Sequence, residues 1–115
     1  DPTNVFVAGF IGSPAMNLVP APIIDAGGSD RIAGFRPEHV HVANGRVDGI
    51  GFDARVDVVE YLGDEQLAHL TRKDTPLQAK LPVEDKVGAG DEVRFSIPRD
   101  KLLLFDAETE ERIRN

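Results

Sequence analysis

The stretch FDARVDVVEYLGDEQLAHLTR, residues 52–72, decides the class of fold. At its start every second residue is apolar and the residues between are charged. Side chains of a strand alternate between its two faces, so this pattern predicts a strand with one buried and one solvent-exposed face. The alternation slips by one at Val58 and Val59, which indicates a β-bulge, a feature that bends strands into barrels. Gly63-Asp64-Glu65 then forms a turn into residues 66–72, so the stretch predicts a β-hairpin.

Short runs of the same kind occur on both sides of this hairpin. They are separated by Gly, Pro and Asp at intervals of about eight to twelve residues, which is typical of a barrel or a sandwich. Pro20 and Pro22 place the first run at a sheet edge, where a missing N–H is tolerated. The sequence therefore predicts a mainly β fold of about seven strands. Besides the hairpin, the predicted strands are residues 31–36, 40–43, 77–81, 93–97 and 102–105, and residues 18–24 are a further candidate that would lie at an edge.

One short helix is predicted at the start of the chain, over residues 1–12. Asp1 suits the N-cap, Pro2 suits the first helical position, and apolar residues follow at helical spacing. Gly12 favours the left-handed conformation that ends a helix, and Pro14 disfavours helix at the residue before it.

The charge and composition exclude several classes of function. The chain has 115 residues, enough for a single domain with its own core. Its net charge is −7 and its Lys and Arg residues are scattered, so it would repel a nucleic-acid backbone and no nucleic-acid partner is expected. It contains no Cys, so neither a disulfide nor a Cys-based zinc site can hold the fold. No apolar run reaches the roughly 18 residues that a membrane-spanning helix needs.

No catalytic or nucleotide-binding motif is complete. The phosphate-binding pattern GxxxxGK[ST] is absent, so ATP cannot bind by that route. Residues 49–54, GIGFDA, have the spacing of the dinucleotide fingerprint but lead into a strand where that motif needs a helix, so we interpret the glycines as a turn or bulge. Glu60, Asp64 and Glu65 would serve acid-base catalysis only if a cleft held them at working distance. On a turn, they predict a solvated loop.

A metal site is suggested by Glu38, His39 and His41, because carboxylate and imidazole are common ligands. The two histidines would share one face of a regular strand. However, no third ligand is recognisable nearby, and His69 is remote in the sequence. The ligand set is incomplete, so no metal site is predicted.

Four segments resemble ATPase subunits of the maltose and glycerol-phosphate importer type. The first, FVAGFIGSPAMN at residues 6–17, is similar to the junction that follows the nucleotide-binding domain of those subunits. In the same order come GFRPEHV at 34–40, VVEYLGDEQLAHL at 58–70 and KLLLFDAETEERI at 101–113. The resemblance extends along most of the chain.

The resemblance implies an OB-fold-like β-barrel of the transport-associated type. Residues 1–12 would end the ATPase domain, and residues 13–115 would form an accessory domain that follows it. In that family the domain performs no chemistry, helps to hold two ATPase chains together and in some members receives regulatory proteins. ATP and magnesium would bind in the ATPase domain, and no cofactor is expected in this chain. The parent would be cytoplasmic, peripheral to the inner face of the membrane and attached to permease subunits.

Three groups of residues take roles from this resemblance, each beside a plainer structural interpretation. An interdomain hinge, or simply the end of a helix, is expected at Gly12, Ser13, Pro14, Met16 and Asn17. A tight structural corner, in which Arg and Glu would pair, is expected at Arg36, Pro37, Glu38 and His39. A contact with a partner chain, or an exposed loop tip, is expected at Tyr61, Leu62, Gly63, Asp64 and Glu65, because tyrosine is enriched at interfaces.

Two departures from the family pattern stand out. The stretch between Asn17 and Arg36 is shorter than the resemblance implies, and Glu110 stands where relatives often carry a turn glycine. The main alternative function is a small-ligand module that binds a sugar or an oxyanion. The acidic balance and the lack of a Gly-rich or Ser-rich anion nest argue against an oxyanion.

Overall fold

Two antiparallel sheets contain all the strands found in residues 15–44 and 49–113, the parts of the chain that the computed structural model describes. The strands are β1 Asn17–Pro20, β2 Arg31–Phe35, β3 His41–Val42, β4 Ile50–Leu62, β5 Glu65–Arg72, β6 Thr75–Pro82, β7 Glu92–Ile97, β8 Leu103–Asp106 and β9 Arg112–Ile113. Three short 3-10 helices span Ala21–Ile24, Pro37–His39 and Arg99–Lys101. The mainly β fold is confirmed. The helix predicted over residues 1–12 lies outside the described residues, and those described contain no α-helix.

The sheets curl around one main core, which gives the molecule its barrel-like form. One sheet has the strand order β1-β2-β8-β9 and the other β3-β7-β4-β5-β6. Phe35 comes from the first sheet, Phe52 and Phe95 come from the second, and all three are buried in the same cluster. The rings of Phe52 and Phe95 lie 5.9 Å apart, a normal spacing for packed aromatic side chains. Alternation along the strands supplies this core, as the sequence predicts.

The long strand β4 serves two partners in turn. It pairs with β7 from Ile50 to Arg55 and with β5 from Arg55 to Leu62. The register shifts between Val56 and Val58, so the predicted bulge is confirmed, but at Asp57, before the predicted position. The extra residue turns Val58 outward, where it is 53% exposed, so Val58 does not continue the buried face of the first half of the strand.

Proline marks the edges of both sheets. Pro20 ends β1, and Pro76 and Pro82 lie in β6; each strand lies at an edge of its sheet. The predicted edge strand over residues 18–24 is confirmed only for its first part, because Ala21–Ile24 is a 3-10 helix. A 3-10 turn tolerates Pro22 near its start, where the missing N–H has no helical partner to lose.

Two turns use a left-handed backbone without glycine. Lys73 and Asp74 link β5 to β6 with φ of 49° and 62°, the pattern of a type I′ hairpin turn. Glu110, between β8 and β9, has φ of 63°. Relatives were expected to carry glycine there, and the backbone conformation is one that favours glycine.

Candidate interaction surfaces

The predicted interface residues lie together at the end of the β4–β5 hairpin. Gly63 and Asp64 form its two-residue turn, and Gly63 has φ of 81°, which suits a type II′ turn. Tyr61 is 70% exposed and Leu62 is 50% exposed. Because neighbouring side chains of a strand point to opposite faces, these two side chains belong to different surfaces. The predicted tip is thus exposed but two-sided.

One of these surfaces, here called the outer face, is formed by Val58, Glu60 and Leu62 of β4 with Leu67 and His69 of β5. Val58 pairs with His69 in the register, and Glu60 pairs with Leu67. The Glu60 carboxylate lies 3.5 Å from His69 Nε2. Next to this face, Glu65 lies 3.3 Å from Lys80 Nζ. The outer face therefore combines exposed apolar groups with carboxylates that have basic neighbours.

The seam between the two sheets is tied by Asn17, which the sequence placed in a hinge. Its side-chain amide donates to the carbonyl of Gln78 at 2.8 Å, and its carbonyl oxygen accepts the Gln78 N–H at 2.8 Å. Asn17 thus bonds to β6 in the way that a neighbouring strand would. Met16 is buried against Phe105. Gly12, Ser13 and Pro14 lie outside the described residues, so the hinge stays a prediction.

The predicted corner is a 3-10 turn, with Arg36 in an extended conformation before Pro37–His39. Burial lowers the pKa of His39 below its ordinary value of 6.5, and its Nδ1 atom is buried without a hydrogen-bond partner in the described part of the chain. His41 is exposed at the start of β3. Across the described ranges, no three His, Cys, Asp or Glu side chains form a group that could hold a metal ion. The pairing expected between Arg36 and Glu38 stays a prediction.

A cleft of about 690 Å³ opens where β4, β5 and β7 meet. Arg72 lines it and donates to the carbonyls of Ile23 and Asp53 at 2.6 and 2.9 Å, and to Asp25 at 3.2 Å. Arg55 also lines it and lies 2.8 Å from the Asp57 carboxylate. Both guanidinium groups are bonded to oxygen atoms of the protein itself, so they stabilise the fold.

The bulge residue Asp57 is held by its neighbours. Its carboxylate accepts the Thr71 hydroxyl and the Arg55 guanidinium, and these bonds lower the pKa of Asp57. The carboxylates considered for acid-base catalysis do not lie with Asp57 in a common cleft. Glu60 lies on the outer face, Asp64 lies in the hairpin turn, and neither lines any of the clefts described for this part of the chain.

Comparison with known proteins identifies the family. The family model described as "TOBE domain" matches residues 33–105, which is more than half of the chain. The chain belongs to the TOBE domain family. The matched region runs from the middle of β2 into β8, and so includes the whole of the five-stranded sheet, parts of two strands of the other sheet, the hairpin and the predicted corner.

Relatives of this TOBE domain include ATP-binding proteins of transporters. It is 34% identical to an uncharacterized ABC transporter ATP-binding protein of Bacillus subtilis, with 97% of this chain and 39% of that protein covered. It is 38% identical to an sn-glycerol-3-phosphate import ATP-binding protein of Cereibacter sphaeroides, with 97% and 36% covered. It is 37% identical to a xylose/arabinose import ATP-binding protein of Haloferax volcanii, with 99% and 36% covered.

The TOBE domain chain spans well under half the length of these relatives. The three alignments extend over 143, 127 and 138 residues, whereas the chain has 115, so the relatives contain residues without a counterpart here. A stretch shorter than in relatives was expected between Asn17 and Arg36. Among the described residues, no helix is long and apolar enough to cross a membrane.

Proposed function

We propose that this TOBE domain is the non-catalytic accessory and regulatory domain of an importer's ATP-binding subunit, and that it helps to hold two such subunits together. The imported solute would be a sugar or a related compound, as the names of the relatives suggest. Residues 1–12 would end the ATPase domain and residues 13–115 would form the accessory domain. The subunit would lie at the cytoplasmic face of the membrane with its permease subunits, and a regulatory protein would bind to it.

The observation that carries the dimer proposal is the outer face of the hairpin. Val58 and Leu62 are two of the three large hydrophobic residues exposed in the described part of the chain. Removing exposed apolar side chains from water is favourable, so covering them with a partner would stabilise the complex. The Glu65 carboxylate beside this face has a cationic partner in Lys80, which reduces the like-charge repulsion that a second copy would meet there. We therefore assign the contact between copies to the outer face.

Sedimentation equilibrium of the chain over a concentration series tests this assignment. We expect a reversible dimer, weakened about tenfold by Leu62→Ser, because removing a buried leucine side chain costs roughly 1.5 kcal/mol or more. Tyr61→Ser is the matched control, since Tyr61 is exposed on the opposite face and should leave the dimer unchanged. A strict monomer at high concentration, or equal effects of the two substitutions, would contradict the proposed contact.

Catalysis is assigned to the rest of the subunit, because this chain has no GxxxxGK[ST] pattern. The purified chain should therefore hydrolyse no ATP. The alternative function as a sugar-binding or oxyanion-binding module has less support, because Arg55 and Arg72, in the cleft where β4, β5 and β7 meet, are bonded to the protein's own oxygen atoms. Measurable ATP turnover by the pure chain would overturn the assignment.

A further inference from the structure

Strand β4 is longer than the strand beside it. β7 pairs with β4 only from Ile50 to Arg55, and the last contact on that side is made by Val56, whose N–H donates to Asp91 and whose carbonyl accepts the Gly90 N–H. Beyond this point, β4 continues to Leu62 with β5 on its other side. In the described residues, the end of β4 therefore has a strand on one side only, and we call residues 57–62 the open edge.

The register shows which backbone groups point away from β5. Leu62 and Glu65 flank a two-residue turn, so the backbone N–H and C=O groups of Leu62 point toward Glu65 in β5. Backbone groups alternate in direction along a strand, so those of Val59 and Tyr61 are directed to the side without a strand. An unpaired row of N–H and C=O groups is a template for one further strand.

A cleft of about 330 Å³ runs beside the open edge, from Tyr61 to Asp91. Its walls include Val83 and Val87, so it has an apolar part. A strand added at the open edge would direct every second side chain toward this cleft, the arrangement by which strand addition gains specificity.

The charge around the cleft is acidic. Asp85 and Asp91 line the cleft together with a single cation, Lys86. Asp64 and Glu84 are also exposed. Both lie close to the cleft, because the N–H of Val83, which lines it, donates to the carbonyl of Asp64, and Glu84 follows Val83 in the chain. Four carboxylates thus stand against one ammonium, which attracts a basic partner and repels a second copy of this acidic chain.

We propose that the open edge accepts an extended segment of a regulatory protein, a segment whose cleft-facing residues, every second one, include both apolar and basic side chains. The segment would pair with the backbone of Val59 and Tyr61 and place its basic side chains over the carboxylates beside the cleft. This inference rests on the proposed regulatory function and names the chemistry of its partner. It uses the edge and the Tyr61 side of the hairpin, whereas the dimer uses the outer face.

The test is titration of the chain with a synthetic peptide of about eight residues, a usual strand length, whose cleft-facing residues are alternately valine and lysine and whose other residues are threonine. Tyr61 is the only tyrosine and the chain has no tryptophan, so intrinsic fluorescence reports on the open edge itself. We expect saturable binding with a dissociation constant of about 10⁻⁴ M that weakens with added salt. Hydrogen exchange should show new protection at the amides of Val59 and Tyr61.

Two controls separate backbone pairing from simple charge attraction. The same peptide with alternate residues N-methylated on the pairing side should bind at least about tenfold more weakly, because it cannot donate to the edge. The double substitution Asp64→Asn with Asp85→Asn should weaken the unmethylated peptide about threefold. Equal binding of the two peptides, no binding up to about 5 mM, or no protection at Val59 and Tyr61 would overturn the proposal.

The outcome is separable from that of the dimer proposal. Leu62→Ser should reduce self-association and leave peptide binding unchanged, because Leu62 points to the outer face. If the amides of Val59 and Tyr61 become protected as the protein alone is concentrated, the edge belongs to a second copy and the peptide proposal is wrong. If the peptide binds to a strictly monomeric chain, the open edge stands and the dimer contact fails.

Discussion

Replacing Asn17 with alanine should open the seam between the two sheets. Asn17 is 8% exposed, and its side chain makes two hydrogen bonds of 2.8 Å with the backbone of Gln78. Each such bond contributes about 1 kcal/mol to stability, and a backbone group left unpaired away from water costs about 1 to 3 kcal/mol. Allowing for water that reaches the half-buried Gln78, we expect Asn17→Ala to lower the free energy of unfolding by about 2 to 3 kcal/mol.

The substitution Asn17→Asp distinguishes the hydrogen-bond pattern from the space that the side chain fills. A carboxylate keeps the acceptor for the Gln78 N–H but loses the donor and faces the Gln78 carbonyl, so the pKa of the introduced carboxyl should rise. A protonated carboxyl restores the donor. The destabilisation should therefore be present at neutral pH and shrink as the pH falls through that raised pKa, relative to the native chain at the same pH.

Urea unfolding followed by far-ultraviolet circular dichroism measures both effects, since the free energy of unfolding falls linearly with denaturant. Asn44→Ala is the matched control, because Asn44 is exposed and should tolerate the change within about 0.5 kcal/mol. A loss for Asn17→Ala no larger than that of the control would refute the reasoning. So would a cost for Asn17→Asp that does not change with pH.

Three further predictions concern backbone strain and pH. Glu110→Gly should stabilise the fold by about 0.5 to 1 kcal/mol, because glycine adopts the left-handed backbone of this position freely. The control Glu108→Gly should not stabilise the fold, and the urea midpoints of the two variants test the difference. Asp74→Gly should raise the melting temperature by a few degrees, since glycine is favoured at the second position of a type I′ turn, and an unchanged or lower value would contradict this. The pKa of His39 is lowered in the fold, so the unfolded chain gains the proton first and stability is lost as the pH falls below about 6.5. His39→Gln should flatten the pH dependence of the urea midpoint between about pH 7 and 5, and an unchanged pH dependence would contradict this reasoning.

Alternating apolar and polar residues made the strands predictable where one face is buried and the other is exposed to solvent. The start of β4, the middle of β6 and most of β7 follow that pattern, and their strands lie where the sequence placed them. Strand β9 was missed because Arg112 and Ile113 are too short a run to alternate. The β5–β6 turn was missed because Lys73 and Asp74 adopt positive φ without glycine, which usually marks such a turn.

The hydrogen bonds between Asn17 and Gln78 could not be predicted from any local sequence pattern. Gln78 lies 61 positions away from Asn17 along the chain, and only the closing of the two sheets brings them together. The same holds for Arg72, whose bonds to Ile23 and Asp25 cross from β5 to the end of the first 3-10 helix. A polar residue at a strand end predicts a cap or a turn equally well, so the sequence offers no signal for the partner.

The bulge at Asp57 connects the fold to both proposed contacts. Before it, Phe52, Ala54 and Val56 point into the core, so that half of β4 is committed to stability. One extra residue reverses the alternation, and Val58 and Leu62 then point to solvent. Without the bulge, these side chains would point inward and Glu60 would join them in an apolar core, where an unpaired carboxylate is costly. The residue that interrupts the strand therefore allows one strand to build the core and to present an apolar face and an open edge to partners.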